Sequence, residues 1–237
     1  MKGEPSILEV AELDLVLEPQ RWAFAEARRE AIASHWAKLR QAKPAIYNGR
    51  VLLLGRRVIL RRPDGALRLE GAFFETDYAD FVAWRDFGSP DEAANCFSMA
   101  ALRSADGAFL LGEMAPHTMN AGDVYFPAGT PDPDDVFAGR VDLEASAKRE
   151  LLEETGVSAE EAAIAPGWTV VFLGSNIACM KATALPLAAE AAKAKIEAFL
   201  ALDAKAELTR IHIVRHPEDI PERTPPEVVA YLEAAFV

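Results

Sequence analysis

Residues 149–157 read RELLEETGV, and this stretch decides how the rest of the chain is interpreted. Glu150, Glu153 and Glu154 stand at positions i, i+3 and i+4, which lie on one face of an α-helix. Gly156 is suited to the position just past a helix end, where the backbone often turns left-handed. The stretch therefore predicts a helix that ends abruptly and carries three carboxylates on one face of its last turns.

Three carboxylates at this spacing are unfavourable unless a positive charge lies nearby. Like charges three or four positions apart destabilise a helix by roughly 0.2–0.5 kcal/mol per pair, and the negative end of the helix macrodipole adds to the repulsion. Hard divalent cations such as Mg²⁺ take oxygen ligands, often carboxylates together with substrate phosphates. Taken alone, three carboxylates on a helix favour a solvated acidic helix end. A metal site is the alternative, and it depends on the full pattern of residues 149–157. Arg149, beside these carboxylates, can pair with one of them and fix its rotamer.

The residues upstream complete the helix and place a long loop before it. Asp142 is suited to the N-cap of a helix over 143–155, because its side-chain oxygen can accept hydrogen bonds from the first free N–H groups. Residues 129–140 are rich in Pro and Asp and predict a polar loop. A short strand is predicted just before it, over 124–126.

The remaining apolar patterns alternate between helical and strand spacing. Helices are predicted over 19–43, 78–87, 188–202 and 226–235. Strands are predicted over 51–54, 58–61, 67–74, 96–103, 108–114, 170–174, 178–185 and 209–214. This interleaving, without regular βαβ spacing, predicts an α/β (α+β) fold with a mixed sheet between helices. Gly88–Asp91 is the best linker candidate, which divides the chain into an N-terminal extension packed on the core, 1–90, and a main domain, 91–237.

Length, charge and cysteine content restrict the class of protein. The chain has 237 residues and a net charge of −12, and such a surface repels a phosphate backbone, so a nucleic-acid polymer is not an expected partner. No run of about 18 apolar residues predicts a membrane span. The N-terminus carries acidic residues where a secretory signal needs an apolar stretch. Two cysteines without zinc or disulfide spacing favour a reducing, cytoplasmic setting.

The stretch 149–157 resembles the second half of the Nudix box. That family's pattern runs G, five residues, E, seven residues, R-E-aliphatic, any residue, E-E, any residue, G-aliphatic, and each fixed position of its second half is matched. The first half departs, because the family's Glu falls on Val141 and its Gly on Asp135. Gly129, in the run YFPAG, matches that glycine better if the loop is lengthened by six residues. The resemblance extends more loosely over 95–215 and implies a Nudix-type fold there.

The resemblance also implies a role for each matched residue. Glu150 and Glu154 would bind Mg²⁺ or Mn²⁺ directly, and Glu153 would be a third ligand, or would orient or deprotonate the attacking water. Arg149 would support these carboxylates, which completes the expected catalytic group. Gly129 would let the backbone approach the metal or the substrate phosphate.

Two further points follow from the altered upstream half. Ala128 stands beside the matched glycine and is expected to contribute to substrate binding with it. The missing upstream Glu is expected to be replaced by Asp142, by Glu144 or by one of the loop aspartates. The lengthened loop is expected to alter the substrate pocket.

These observations predict a metal-dependent hydrolase that cleaves a pyrophosphate linkage in a small nucleoside diphosphate joined to another group, a nucleotide sugar being favoured. Tyr47, Asn48 and Tyr78 lie upstream of the box, in stretches that resemble sequences of the Nudix subgroup that hydrolyses UDP-glucose and UDP-galactose. The alternative is a non-catalytic Nudix-fold module that binds a nucleotide. Asn176 is expected to line the pocket if the strands run as predicted. The apolar stripe of the first helix predicts a packing partner, either the rest of the chain or a second copy in a homodimer.

Overall fold

The computed structural model describes residues 4–90 and 92–236, in which two mixed β-sheets pack with α-helices. This confirms the predicted α/β (α+β) class. The helices are α1 (Ala23–Ala27), α2 (Arg29–Ala42), α3 (Tyr78–Asp86), α4 (Leu143–Thr155), α5 (Ala189–Leu200) and α6 (Pro226–Ala235), with 3₁₀ turns at Pro133–Asp135 and Pro217–Asp219. The strands are β1 (Ser6–Val10), β2 (Glu12–Leu17), β3 (Arg50–Arg61), β4 (Leu67–Asp77), β5 (Asn95–Arg103), β6 (Phe109–Met114), β7 (Val124–Tyr125), β8 (Ala128–Gly129), β9 (Val136–Phe137), β10 (Arg140–Val141), β11 (Ala163–Ile164), β12 (Trp168–Leu173), β13 (Asn176–Ala184) and β14 (Leu208–Val214).

The larger sheet contains the strands that surround the candidate site. Its order is β1-β12-β13-β5-β6-β14, with β11, β7 and β8 paired to β13, β6 and β5. The central strands β5 and β13 run parallel, and this register places Asn95 opposite Asn176. The smaller sheet has the order β3-β4-β2-β10-β9. None of the helices in the described ranges is both long and apolar enough to cross a lipid bilayer.

The first two strands were missed by the sequence analysis. β1 pairs antiparallel with β12 at the edge of the larger sheet, and β2 runs parallel to β4 in the smaller one. The signal was present, because Leu13, Leu15 and Leu17 alternate at period two. The N-terminal segment therefore gives a strand to each sheet. Asp91, the last residue of the predicted linker, lies outside the described residues, and the division at 90/91 stays a prediction.

The single helix predicted over 19–43 is wrong. The chain forms α1 and α2, which meet at Arg28 (φ −116°, ψ 16°). The first of them begins only after Trp22, whose ring lies 5.0 Å from that of Phe24 in one buried cluster. Side chains two positions apart diverge widely around a regular helix, so both rings reach this cluster only if Trp22 stays extended. Ile32 of α2 packs in the same cluster, so the apolar stripe is at least partly covered within this chain.

Two further predictions are corrected by strand pairing. The strands predicted over 51–54 and 58–61 are one strand, β3, because an irregularity between Leu54 and Arg56 lets the pairing with β4 continue. The loop predicted over 129–140 contains β8, β9 and β10. Ala138 and Gly139, both with positive φ, make the tight turn between β9 and β10. The tip of this loop is therefore tied to β2 through β10.

Candidate active site

Helix α4 presents the predicted carboxylates and is fixed at both ends. Asp142 accepts hydrogen bonds from the N–H groups of Glu144 and Ala145 at 3.0 and 2.9 Å, which satisfies two donors of the first turn. Gly156 ends the helix with φ 68°. The helix bounds 143–155, the N-cap and the left-handed end are therefore confirmed. Leu151, fully buried, holds the last turns in the main core.

The three carboxylates on α4 have very different surroundings. Glu154 is only 5% exposed, and its Oε2 accepts a hydrogen bond from the Ala128 N–H at 3.2 Å. The side chain of Glu150 is 14% exposed and lies against Gly129 of β8. Glu153, with a side chain 58% exposed, faces solvent. Two carboxylates are thus held against a strand, and the third is accessible to water.

Burial changes the proton affinity of the two inner carboxylates. Loss of hydration raises the pKa of Glu150 to about 7, although the Arg149 guanidinium opposes the shift. Loss of hydration also raises the pKa of Glu154 well above its usual value, and the negative charges of Glu150 and Glu207 add to this effect. Both groups resist ionisation in the metal-free protein, so a nearby cation would stabilise their charged form.

Arg149 connects the carboxylate cluster to the long loop. Its guanidinium donates to Glu150 Oε1 at 2.8 Å and makes a longer contact of 3.5 Å with Glu153 Oε2. A second nitrogen donates to both carboxylate oxygens of Asp135 at 3.1 and 3.2 Å. Asp135 belongs to the 3₁₀ turn of the loop, and its side chain is only 3% exposed. A buried carboxylate therefore fixes the guanidinium that contacts Glu150.

The interactions of Asp135 show how the lengthened loop contributes to this region. Of the replacements considered for the upstream Glu, Asp142 is occupied as the N-cap, and Glu144 pairs with Lys148 at 2.7 Å and with Lys181 at 2.6 Å. Val141, where the resemblance places that Glu, is buried in an apolar cluster. Of the candidates for replacing the upstream Glu, the loop aspartate Asp135 is therefore the one that contacts the carboxylate cluster, and it does so through Arg149.

A cleft of about 480 Å³ lies beside these groups. It is bordered by Arg149, Glu150 and Glu153 on one side and by the Ala128–Thr130 backbone on another. Other lining residues come from distant parts of the chain, among them Tyr47, His117 and Glu207. Glu207 was not singled out from the sequence; its position two residues before a predicted strand is the only signal that marks it.

The carboxylate oxygens of α4 are the kind of ligand that a hard cation prefers, although these side chains do not form a complete metal-binding group. Within residues 4–90 and 92–236, no group of three or more His, Cys, Asp or Glu side chains is close enough to hold a metal ion. The donors at hand are carboxylate oxygens, which Mg²⁺ and Mn²⁺ prefer. Glu150 and Glu154 are desolvated, and a bound cation would offset that penalty. The metal-ligand roles of Glu150, Glu153 and Glu154 stay predictions.

Asp135→Asn is expected to lower kcat by about 10- to 100-fold with little change in KM, the usual effect of losing a partner that orients a metal ligand. The substitution keeps the size of the side chain but removes the buried counter-charge of Arg149, which is then free to shift with Glu150. Asp134→Asn is the matched control, since Asp134 is the exposed neighbour in the same 3₁₀ turn. Equal activity of the two variants in steady-state kinetics would contradict the positioning role.

Without a cation, the inner carboxylates make the protein less stable as pH rises. The folded-state pKa of Glu150, about 7, and that of Glu154 both exceed the ordinary value of 4.5. Above pH 4.5 the unfolded chain loses protons that the folded chain keeps, so the free energy of unfolding falls as pH rises through about 7. We expect this fall in urea unfolding with EDTA, and a smaller one in Glu150→Gln and Glu154→Gln. Parallel pH profiles for all three proteins would rule out the raised pKa values.

Comparison with known proteins gives distant structural matches. No family model matches the chain, and neither does any curated protein. Three solved structures are similar in part. A MutT protein from Methanosarcina mazei Go1 is 21% identical, with 60% of this chain and 92% of that chain covered and a TM-score of 0.38. The Nudix hydrolase RenU from M. smegmatis is 16% identical (59% of this chain and 80% of that chain covered, TM-score 0.36), and a Nudix hydrolase from Nitrosomonas europaea is 19% identical (59% of this chain and 86% of that chain covered, TM-score 0.37). At these identities and TM-scores, neither the activity nor the site residues of this chain follow from the likeness.

Proposed function

We propose that this protein is a metal-dependent hydrolase of the Nudix type that cleaves a pyrophosphate linkage in a nucleoside diphosphate joined to another group. The observation that carries the proposal is the pair Glu150 and Glu154, two desolvated carboxylates on one helix, of which Glu150 lines an accessible cleft. Like charges buried together are costly unless a cation joins them. Arg149 contacts Glu150, but this contact does not offset the burial of Glu154.

Glu150 and Glu154 would hold Mg²⁺ or Mn²⁺, with Glu153 as the third carboxylate. When bound, such a cation neutralises the diphosphate and lowers the pKa of a water molecule. The chain's own residues have separate tasks. The Ala128 N–H holds Glu154 in place, and Arg149 holds Glu150. Glu153 is the carboxylate that solvent reaches, which suits it to take the proton of the attacking water.

A nucleotide sugar is the proposed substrate class. Tyr47 and Tyr78, from the segment upstream of the box, both line the cleft and give it aromatic surface beside the acidic groups. Such surface suits the apolar faces of a base or a sugar ring. The diphosphate itself needs the cation, because the cleft also carries Glu150, Glu153 and Glu207, which repel phosphate.

The test is hydrolysis of a substrate panel by the wild-type protein with Mg²⁺, with Mn²⁺ and with EDTA. The panel contains nucleotide sugars, ADP-ribose and dinucleoside polyphosphates. We expect metal-dependent release of a nucleoside monophosphate, fastest from a nucleotide sugar, and no release in EDTA. Turnover that is unaffected by EDTA would exclude the metal-dependent mechanism.

A non-catalytic module that binds a nucleotide is the second candidate. The observation that favours it is the altered upstream half of the pattern, in which the buried Val141 stands where the family has a Glu. It predicts nucleotide binding without hydrolysis in a folded protein. Calorimetric titration with a nucleotide sugar and Mg²⁺, beside the hydrolysis assay, separates the two candidates.

A further inference from the structure

A second cavity of about 480 Å³ adjoins the acidic cleft. The two share Ala128, Gly129 and Thr130 among their lining residues, so they lie side by side. Five further parts of the chain line it: the first half of β5, the first residue of β13, one face of α3, the segment 120–125 and the turn that leads into α6. Asn176 lines this cavity, as the sequence analysis expected.

One side of the cavity carries polar groups, of which Glu227 and Thr224 are buried. Asn95 and Asn176 lie opposite each other at the start of the parallel pair β5 and β13. Asn176 Nδ2 donates to Glu227 Oε1 at 3.1 Å, and Glu227 is buried. Thr224, 8% exposed, completes the group. Four residues from three distant segments thus bring an amide pair, a carboxylate and a hydroxyl together.

Two atoms of this group have no hydrogen-bond partner. They are Asn95 Oδ1 and Thr224 Oγ1, and in the described part of the chain only Ser98 Oγ and Ser146 Oγ share that property. A buried polar atom without a partner is destabilising, so it needs a specific explanation. The two residues that carry half of these unsatisfied atoms line one cavity next to the candidate site, which points to a ligand that hydrogen-bonds there.

We propose that this cavity binds a hydroxyl-rich sugar ring of the substrate, with Asn95, Thr224 and Glu227 as specificity-determining residues. This inference rests on the proposed function, because it assigns one part of the same substrate. Carboxylate and amide oxygens accept hydrogen bonds, and sugar hydroxyls supply donors in number. A phosphate offers only acceptors and would be repelled by Glu227. The two guanidinium groups that line the cavity are already paired, Arg223 with Asp123 at 2.7 Å and Arg85 with Asp86 at 3.1 Å.

The apolar side of the cavity fits the same ligand. Tyr78, Phe81 and Phe97 line it, and they give the C–H face of a sugar ring a surface to pack on. Phe81 and Phe97 are buried and therefore held in place. With the sugar in this cavity, the diphosphate lies near Glu150 in the adjoining acidic cleft. The sugar is either the distal sugar or the ribose of the nucleoside, both of which offer the same hydroxyl chemistry.

The test compares UDP-glucose with UDP-hexanolamine, in which an alkyl chain replaces the distal sugar. Asn95→Ala and Thr224→Val are each expected to lower kcat/KM for UDP-glucose by about three- to tenfold, the usual effect of one lost hydrogen bond. Both variants should match the wild type on UDP-hexanolamine. Thr224→Ser should restore activity, and Thr183→Val, a buried threonine of β13 outside the cavity, is the control for loss of a buried hydroxyl.

A third substrate separates the two sources of the sugar. If the loss persists on UDP-hexanolamine but disappears on the 2′-deoxyuridine analogue of UDP-glucose, the cavity binds the ribose, and the inference stands. Equal losses on every substrate, or no loss on any, would overturn it. The unfolding temperatures of the variants identify any folding defect. If Thr224→Val does not fold, the kinetics of Asn95→Ala alone test whether the cavity binds the sugar.

Failure of the proposed function gives a different result. In that case the wild-type protein hydrolyses none of the three compounds. Binding of UDP-glucose and UDP-hexanolamine with Mg²⁺, measured by calorimetry on wild type and Asn95→Ala, then tests the cavity without turnover. Tighter binding of UDP-glucose that is lost in the variant supports the inference, and equal affinities overturn it.

Discussion

Glu154→Gln is expected to lower metal-dependent turnover by about 10³-fold or more while leaving the fold intact. Loss of an outer partner of a metal ligand costs about 10- to 100-fold, so loss of a ligand itself should cost more. The amide oxygen of Gln can still accept the hydrogen bond from the Ala128 N–H. Because the substitution also removes a carboxyl group whose ionisation is opposed by burial, the metal-free variant should be at least as stable as the wild type at neutral pH.

Steady-state turnover at increasing Mg²⁺, together with thermal unfolding in EDTA, measures both effects of Glu154→Gln. Glu160→Gln is the matched control, because Glu160 is exposed just beyond the same helix. It should retain wild-type activity and show no gain of stability at neutral pH. If Glu154→Gln kept wild-type turnover, the metal-site assignment would be wrong.

Gly129→Ala is expected to lower kcat by about 10²-fold. A Cβ at this position would lie 2.6 Å from Cδ of Glu150, closer than real Cβ contacts come. β8 is held by its pairing with Ser98 and Met99, so the carboxylate must move. Displacing a reacting group by about 1 Å can cost 10²-fold in rate. Overpacking of this kind also costs about 1–3 kcal/mol of stability, which calorimetric unfolding would detect.

Gly55→Ala separates the effect at the site from the general cost of an added methyl group. Its Cβ would meet Oε1 of Gln20 at 2.6 Å, and this flexible side chain can move away without touching the acidic cleft. The control should therefore keep wild-type kcat. Unchanged kcat in Gly129→Ala would show that Glu150 does not need its present position.

The properties that the sequence by itself determined are local ones. The helix 143–155, its N-cap at Asp142 and its left-handed end at Gly156 were predicted correctly, because capping and helix termination depend on residues within one or two turns. The shared helix face of the acidic residues follows from helical periodicity. Most strand positions were predicted for the same reason, since alternation of apolar residues is readable within a few positions.

Only the tertiary structure decided which of these residues are buried and what they contact. Glu153 and Glu154 are adjacent in sequence, yet one is exposed and the other is covered by β8. Asp135 contacts Arg149 across 14 positions of sequence. Asn95 and Glu227 reach one cavity from segments more distant still. Burial and long-range pairing depend on how separate segments pack, and no local pattern of residues encodes that packing.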